Sequence, residues 1–204
     1  RNLETPVGPA AGPHTQLAQN IIASYYAGAR FFELKTVQKM DGAELSACVN
    51  KPCILADDEG YNCEWSTELT VPDAMGEYIK AWFILHVIAK EFGLGAQDGF
   101  QFNISVGYDL AGIKGDKVNT FIDGMMEAKD TVIFQECRKW LLDNADKFQN
   151  FTREDIEAIP SNVCNSATIS TLHGCPPQEI DCKLSAYRET SEYLCKVQPD
   201  PSWL

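Results

Sequence analysis

The sequence has little positive charge and no long hydrophobic run. Its 17 lysine and arginine residues stand against 29 aspartate and glutamate residues, a formal charge of −12. Because binding to phosphate backbones or anionic membranes needs a basic face, both are excluded as main partners. The longest apolar run lies within residues 81–89 and is far shorter than the ~20 residues that span a bilayer.

Paired-cysteine motifs are also absent. The eight cysteines include no C-x-x-C spacing, which excludes a zinc ribbon and a complete iron–sulfur motif. Several lie in apolar or helical stretches, as small buried side chains do. No signal peptide is visible, so we expect a cytoplasmic protein. The chain starts at Arg1 within what reads as running sequence, and we expect it to be a fragment.

Three common catalytic or nucleotide-binding motifs are missing as well. The sequence contains no G-x-x-x-x-G-K-[ST], no G-x-G-x-x-G after a strand and no G-x-S-x-G. A P-loop NTPase, a Rossmann dinucleotide site and a hydrolase nucleophile elbow are therefore unsupported. The three histidines are too far apart in sequence to indicate a metal site.

Strand-like and helix-like segments alternate along the chain. Runs rich in β-branched and aromatic residues predict strands at 30–36, 100–106 and 165–172. The Gly- and Pro-rich stretch 5–13 predicts an irregular loop, with or without a short strand. Apolar periodicity predicts helices at 17–27, 73–92, 116–129, 134–148, 152–159 and from about 178.

Two helix starts have sequence signals. We expect Thr15 or a neighbour to cap the first helix, and Thr152 with Asp155 forms a pattern typical of a capping box. Along the second helix, Ile79, Phe83 and Val87 form one apolar stripe.

The alternation predicts an α/β fold with parallel strands and crossover helices. About four β/α units fit the length, whereas a closed (β/α)8 barrel takes ~250 residues. The sequence is therefore compatible with half of such a barrel or with a small doubly wound sheet. Residues 41–72 form an irregular insertion rich in acidic side chains. These side chains could hold a divalent cation, or the segment is a solvated acidic loop.

In either fold, working residues lie just past the carboxyl ends of the strands. This rule selects twelve candidates, which are Ala10, Ala11, Gly12, Lys35, Thr36, Asn103, Ser105, Gly107, Thr171, His173, Gly174 and Cys175.

Four of these candidates have particular chemical properties. Lys35 ends an apolar strand and either points into the mouth or snorkels to solvent. Asn103 is disfavoured within a strand and needs a ligand or backbone partner. Cys175, in a loop held by neighbouring prolines, is either a proton donor or base, or a buried structural thiol. His173 either tunes that thiol or is a hydrogen-bonded loop histidine.

Several segments resemble the large subunit of the bacterial selenate reductases over residues 3–180. They are ETPVGPAAGPHTQLAQN, RFFELKTVQ, ADDEGYNCEWSTELTVP, FNISVGYDL and STLHGCPPQEI. The N-terminal region of that family is in turn similar to dihydroorotate dehydrogenase and to the related domain of dihydropyrimidine dehydrogenase. The resemblance implies the N-terminal half of an FMN-type (β/α)8 TIM barrel in residues 1–180.

The resemblance also implies roles for individual residues. Residues 10–12 look like the small-residue loop that lies against the flavin ring, and Lys35-Thr36 looks like the pair near flavin and substrate. Cys175 looks like the base of the N-x-S-C-P segment in some dihydroorotate dehydrogenases. This sequence has T-L-H-G-C-P there, so the Asn and Ser are replaced and orotate is not the expected substrate.

Two functions follow as hypotheses. The first is a flavin-type oxidoreductase subunit in which Lys35 supports the flavin and Cys175 moves a proton. In it, Asn103 hydrogen-bonds substrate or flavin, and His173 contacts substrate. The complete protein from which this fragment comes would hold FMN in the barrel and carry FAD and iron–sulfur clusters on other segments. It would also contact further redox subunits. The second is a barrel without cofactor that acts as a docking scaffold in an electron-transfer complex. We expect no cofactor on residues 1–204 alone.

The tail at 181–204 departs from the family pattern. One choice of codons for these residues, read one base later, encodes an amphipathic helix followed by a strand. That is what the next barrel unit requires, so we expect a reading-frame error near residue 180, natural or from sequencing. As written, the tail reads as a helix and then irregular chain.

Overall fold

The computed structural model describes residues 3–35, 69–106 and 110–169, together with residues 37, 44 and 47. The strands described are β1 Phe31–Leu34, β2 Gln101–Val106 and β3 Cys164–Ile169. They form one sheet in the order β1-β2-β3, and both pairs are parallel, as the alternation predicts. The helices described are α1 Ala18–Tyr26, α2 Val71–Glu91, α3 Leu110–Ile113, α4 Asp116–Met126, α5 Val132–Asp143 and α6 Arg153–Glu157.

A further extended segment lies beside β1. The amide of Phe31 donates to the carbonyl of Val7 at 3.3 Å, and that of Glu33 donates to Pro9 at 3.2 Å. Donors and acceptors both advance by two residues in one direction, so the segment runs parallel to β1. Gly8 permits the close approach, because a Cβ there would lie 1.4 Å from the carbonyl oxygen of Phe31.

The helix-facing side of the sheet is an aromatic core. Phe32 and Phe102 are fully buried, and their ring centroids lie 5.5 Å apart. Trp82 of α2 contacts Phe100 at 5.1 Å and Phe102 at 5.3 Å, both nearly edge to face. Its indole N–H donates to the carbonyl of Pro160 at 2.9 Å. Such edge contacts stabilise by about 0.5–1.5 kcal/mol beyond the area they bury.

Helix α2 is more deeply buried than its single predicted stripe indicates. Ile79 and Phe83 are buried and Val87 is half-buried. Opposite them, Ala74 and Leu85 are fully buried as well. The reason is that α2 contacts α1, α4 and α5 as well as covering the sheet core.

One of the two predicted helix caps is confirmed, and the other is replaced by a long-range contact. Thr152 and Asp155 form the predicted capping box at α6. The predicted cap of α1 by Thr15 is wrong, because the Thr15 hydroxyl bonds to Gly12 instead. The amide of Ala18 donates to a carboxylate oxygen of Glu77 on α2 at 2.9 Å. A residue 59 positions away thus satisfies the first turn of α1.

Several boundaries differ from the predictions by a few residues. Helix α2 begins at Val71 because Thr70 caps it, accepting a hydrogen bond from the amide of Asp73 at 3.3 Å. Helices α4 and α5 end before the predicted residues, and α3 was not predicted. Residues 170–172, most of 41–72, the helix from 178 and the tail 181–204 lie outside the described residues.

At the amino ends of the strands, Glu4 fastens three segments together. Its carboxylate accepts from the guanidinium of Arg30 at 2.7 Å and from the amide of Ala96 at 2.7 Å. Arg30 also donates to the carbonyl of Leu94 at 2.8 Å and lies over the ring of Tyr25. The bonds from Arg30 and then Ala96 lower the pKa of Glu4, whereas burial raises the pKa of the Tyr25 hydroxyl.

Replacing Gly8 by alanine tests the close approach to β1. The added Cβ overlaps the Phe31 carbonyl, so Gly8→Ala should lower the free energy of unfolding by about 1–3 kcal/mol or more. The matched control is Gly76→Ala within α2, where no atom lies within 4 Å and a gain of roughly 0.5–1 kcal/mol is expected. Chemical denaturation measures the stability of both variants. Equal stability of the two would contradict the close pairing of residues 7–9 with β1.

The Glu4 carboxylate makes stability depend on pH. Its pKa is lowered on folding, so its contribution is present above the ordinary carboxyl pKa and is lost as pH falls through the lowered value. Glu4→Gln should therefore lower the denaturation midpoint near neutral pH, and the difference from wild type should shrink in acid. Glu136→Gln, at an exposed site on α5, is the control and should change little at either pH.

Candidate functional site

The sheet face opposite the helices is lined with polar side chains. Successive side chains of a strand alternate between faces, and Phe32, Phe102 and Ile104 belong to the helix-facing core. Their neighbours, which are the apolar Phe31 and a set of polar residues, therefore point to the other face. This face corresponds to the inner side of the barrel that the sequence resemblance implies. We call this set the inner polar face, and its members are Glu33, Gln101, Asn103, Ser105, Ser166 and Thr168.

A chain of hydrogen bonds joins four members of this face. Gln101 Nε2 donates to Ser166 Oγ at 2.7 Å, and Ser166 Oγ donates to Asn103 Oδ1 at 2.7 Å. Asn103 Nδ2 donates to Thr168 Oγ1 at 2.8 Å. Asn103 is only 3% exposed, so these partners offset the cost of burying its amide. Besides these side chains of β3, Asn103 Nδ2 has the carbonyl of Ile104 at 3.5 Å, so a backbone partner is present as the sequence predicted, although the shorter bonds go to side chains.

An irregularity in β3 lies beside this chain. The pairing shifts by one residue between Phe102–Cys164 and Ile104–Ala167, so β3 carries one extra residue at a bulge. Asn165 stands in this bulge, and its Oδ1 is buried without a hydrogen-bond partner among the described residues. A buried amide oxygen without a partner favours an additional group at this place, such as a water molecule or a ligand.

Glu33 connects the inner polar face to residues 10–12. Its Oε2 accepts a hydrogen bond from the amide of Ala11 at 3.0 Å, and β1 pairs Glu33 with Asn103. The amide of Gly12 donates to Thr15 Oγ1 at 3.2 Å, so both amides are already bonded within the chain. Residues 10–12 therefore offer an outer surface of small side chains rather than a row of amide donors.

Lys35 directly follows β1 and is half-buried. The hydroxyl of Tyr78 on α2 donates to its carbonyl at 2.7 Å, which fixes the carboxyl end of the strand against a core helix. Tyr78 is itself fully buried and meets Phe121 edge-on at 6.2 Å. The position of the lysine backbone is thus set by core packing. The predicted direction of its ammonium, toward Asn103 and Cys175, stays a prediction.

The structure brings some of the predicted residues together. Residues 10–12, Lys35 and Asn103 lie on three adjacent parallel segments of one sheet. Thr36, His173 and Cys175 lie outside the described residues, so their placement stays a prediction.

Sequence reasoning missed most of the inner polar face. Glu33, Gln101, Ser166 and Thr168 were not candidates, although Q-F-N-I-S in β2 alternates polar and apolar residues strictly. That alternation was the available signal, because period two separates the two faces of a strand. Residues 102–105 are nevertheless all buried, so β2 is buried on both faces although one of them is polar.

The arrangement can bind and orient a ligand. Its described members supply amide and hydroxyl groups and one carboxylate, with an ammonium at the end of β1. Across the described residues, no group of three potential metal ligands comes together. No helix among them has the length and apolar character needed to cross a membrane.

Comparison with known proteins identifies the family. The N-terminal TIM-barrel domain of the oxidoreductase YgfK matches residues 1–194. The proteins described as "Putative oxidoreductase YgfK" in Escherichia coli K12 and O157:H7 are each 49% identical over 209 residues. The alignments cover 96% of this chain and 20% of each relative, so the chain spans about a fifth of their length.

No solved structure matches the chain. The parallel sheet, the helices on one of its faces and the family match together confirm the predicted α/β fold of the TIM-barrel type. The chain belongs to the family of N-terminal TIM-barrel domains of YgfK-type oxidoreductases.

Proposed function

We propose that this domain forms the flavin-binding part of an oxidoreductase that moves electrons or hydride between FMN and a small substrate. Membership in an oxidoreductase family supports the reaction class. The observation that carries the proposal is the inner polar face, because an ordinary TIM barrel fills its interior with bulky branched apolar residues. A polar interior beside a loop of small residues is suited to a polar planar ligand.

The residues present fit the ring of a flavin. Residues 10–12 carry no bulky side chain, which suits contact with a ring, and the bonded amides of Ala11 and Gly12 hold this segment in place. Asn103 and Thr168 provide hydrogen-bonding groups next to that surface. The phosphate is expected to bind at the later strands of the barrel, where enzymes of this fold hold it.

Each proposed residue has a separate task. Lys35 places a positive charge near the ring, which stabilises negative charge that develops on it. Asn103 and His173 orient the substrate by hydrogen bonds, and Thr36 adjoins the lysine at the end of β1. Cys175 gives or takes the proton that accompanies hydride transfer. FMN, when bound, supplies the hydride or electrons.

The remaining redox groups belong to other parts of the polypeptide. We propose FAD and iron–sulfur clusters on segments beyond this domain and electron exchange with further redox subunits or domains. A role as the large subunit of a selenate reductase in the cytoplasm remains part of this proposal. Its basis is the sequence resemblance, since the inner polar face alone does not select selenate.

One observation favours a second function, that of a docking scaffold without cofactor. Both ends of the Asn103 amide are already bonded within the chain, to Ser166 and Thr168. A polar network that satisfies itself needs no ligand to remain buried. Asn165 Oδ1, which is buried without a hydrogen-bond partner among the described residues, favours the first function where a ligand rather than a water molecule bonds to it.

A flavin titration tests both proposals. The complete natural polypeptide should bind FMN in a one-to-one ratio, whereas a polypeptide whose barrel is a scaffold would not bind FMN. Release and identification of the bound flavins is needed beside this, because FAD and iron–sulfur clusters on other segments would colour the protein in either case. Residues 1–204 alone should not bind FMN saturably at micromolar concentrations, because the ring contacts without the phosphate clamp do not offset the ordering cost. Quenching of flavin fluorescence measures both, and tight binding by 1–204 would show that the clamp is dispensable.

Cys175→Ser tests the proton-transfer assignment in the complete polypeptide. If the thiol moves the proton, turnover should fall by roughly 10²–10⁴-fold, the usual contribution of general acid–base catalysis. Flavin binding and the denaturation midpoint should remain close to wild type. Cys164→Ser, at a fully buried cysteine on β3, is the contrasting variant and should lower stability instead. Unchanged turnover of the first variant would assign Cys175 a structural role.

A further inference from the structure

Glu33 stands out because none of the proposed catalytic steps uses it. It is the one carboxylate among the described side chains of the inner polar face, and it is half-buried. The other members of that set are amides and hydroxyls, and none of the ion pairs among the described residues includes Glu33. A partly buried carboxylate without a cation partner is costly unless hydrogen bonds compensate it.

The Glu33 carboxylate bonds to the backbone of another segment. Oε2 accepts from the amide of Ala11 at 3.0 Å. One residue further on, Gly12 and Thr15 close a tight turn through the hydroxyl and amide of Thr15, which reach the Gly12 carbonyl at 3.0 and 2.9 Å. Glu33 therefore fixes one side of residues 10–12 and Thr15 fixes the other.

Thr15 and Glu33 hold residues 10–12 in different ways. Thr15 acts within its own turn, whereas Glu33 ties the segment to β1, the strand that ends in Lys35. The amide of Glu33 donates to the carbonyl of Pro9 at 3.2 Å, and this bond already holds the backbone just before residues 10–12. The carboxylate thus extends the connection from the strand pairing into the loop. It sets the distance between the small-residue surface and the inner polar face.

From these contacts we infer that Glu33 is a positioning residue of the ligand site, which holds residues 10–12 at the depth a flavin ring requires. This inference rests on the proposed function. It also assigns the carboxylate an electrostatic effect on a ring lying against those residues. A negative charge beside the ring makes it harder to reduce, because reduction adds electrons to it.

Two substitutions separate the hydrogen bond from the charge. Glu33→Gln keeps an acceptor oxygen for the amide of Ala11 and removes the charge, whereas Glu33→Ala removes both. Glu157→Gln, at an exposed end of α6, changes the net charge in the same way and serves as the control. All are made in the complete natural polypeptide.

Three measurements are needed, which are amide exchange of residues 7–12 without flavin, FMN affinity and the flavin midpoint potential. Glu33→Ala should lose exchange protection and about ten- to a hundredfold in FMN affinity, as loss of a charged hydrogen bond does. Glu33→Gln should keep both the protection and, within about threefold, the affinity. Its midpoint potential should rise, while Glu157→Gln leaves all three unchanged.

The outcomes distinguish this inference from the proposed function. Unchanged exchange and affinity in Glu33→Ala would overturn the inference and leave flavin binding intact. If Glu33→Ala does not fold, an unchanged potential in Glu33→Gln overturns it. If the wild-type protein does not bind FMN, the proposed function is wrong. The part of the inference that concerns the flavin is then wrong as well. Loss of protection at residues 7–12 would then still support the positioning of the loop.

Discussion

The alternation of side chains along parallel strands determines the two sides of this domain. In β2 it sends Phe102 and Ile104 toward the helices and Asn103 and Ser105 toward the barrel interior. The apolar side packs against α2 through Trp82, and that packing supplies the hydrophobic stabilisation. The polar side can then tolerate amides and hydroxyls, because stability no longer depends on it. A shift of one residue in register would exchange the two sides.

Local sequence signals were sufficient wherever the partner lay within a few residues. The capping box of Thr152 and Asp155 was read correctly because both halves of the motif are adjacent on the chain. The cap of α1 was not, because Glu77 comes from a different helix, and no local pattern indicates which distant carboxylate reaches Ala18. The same limit explains α2, whose burial depends on neighbours that periodicity does not reveal.

The candidate site divides along the same line. Parallel strands end at a common edge of the sheet, and this rule was enough to predict that residues 10–12, Lys35 and Asn103 lie near one another. The prediction needs only the topology of the sheet. The partners of Asn103 required the register of β2 against β3, including the bulge at Asn165. A bulge has no reliable sequence signature here, so the hydrogen-bond chain could not be derived from residue order.

The choice between enzyme and scaffold depends on which polar groups the inner face has already used. Asn103 donates to Thr168 and accepts from Ser166, so a ligand would have to use what remains. The hydroxyl hydrogen of Thr168 is not spent by accepting from Asn103, because a hydroxyl can donate while it accepts. Thr168 is exposed, whereas Asn103 is buried, so Thr168 is the end of this hydrogen-bond chain that can contact a ligand.

A hydrogen-bond chain that is already formed and presents an oriented hydroxyl also binds a ligand at less cost than mobile side chains do. The reason is that the side chains lose their conformational entropy on folding rather than on binding. Internal saturation of Asn103 is therefore compatible with binding at Thr168 and does not by itself select the scaffold.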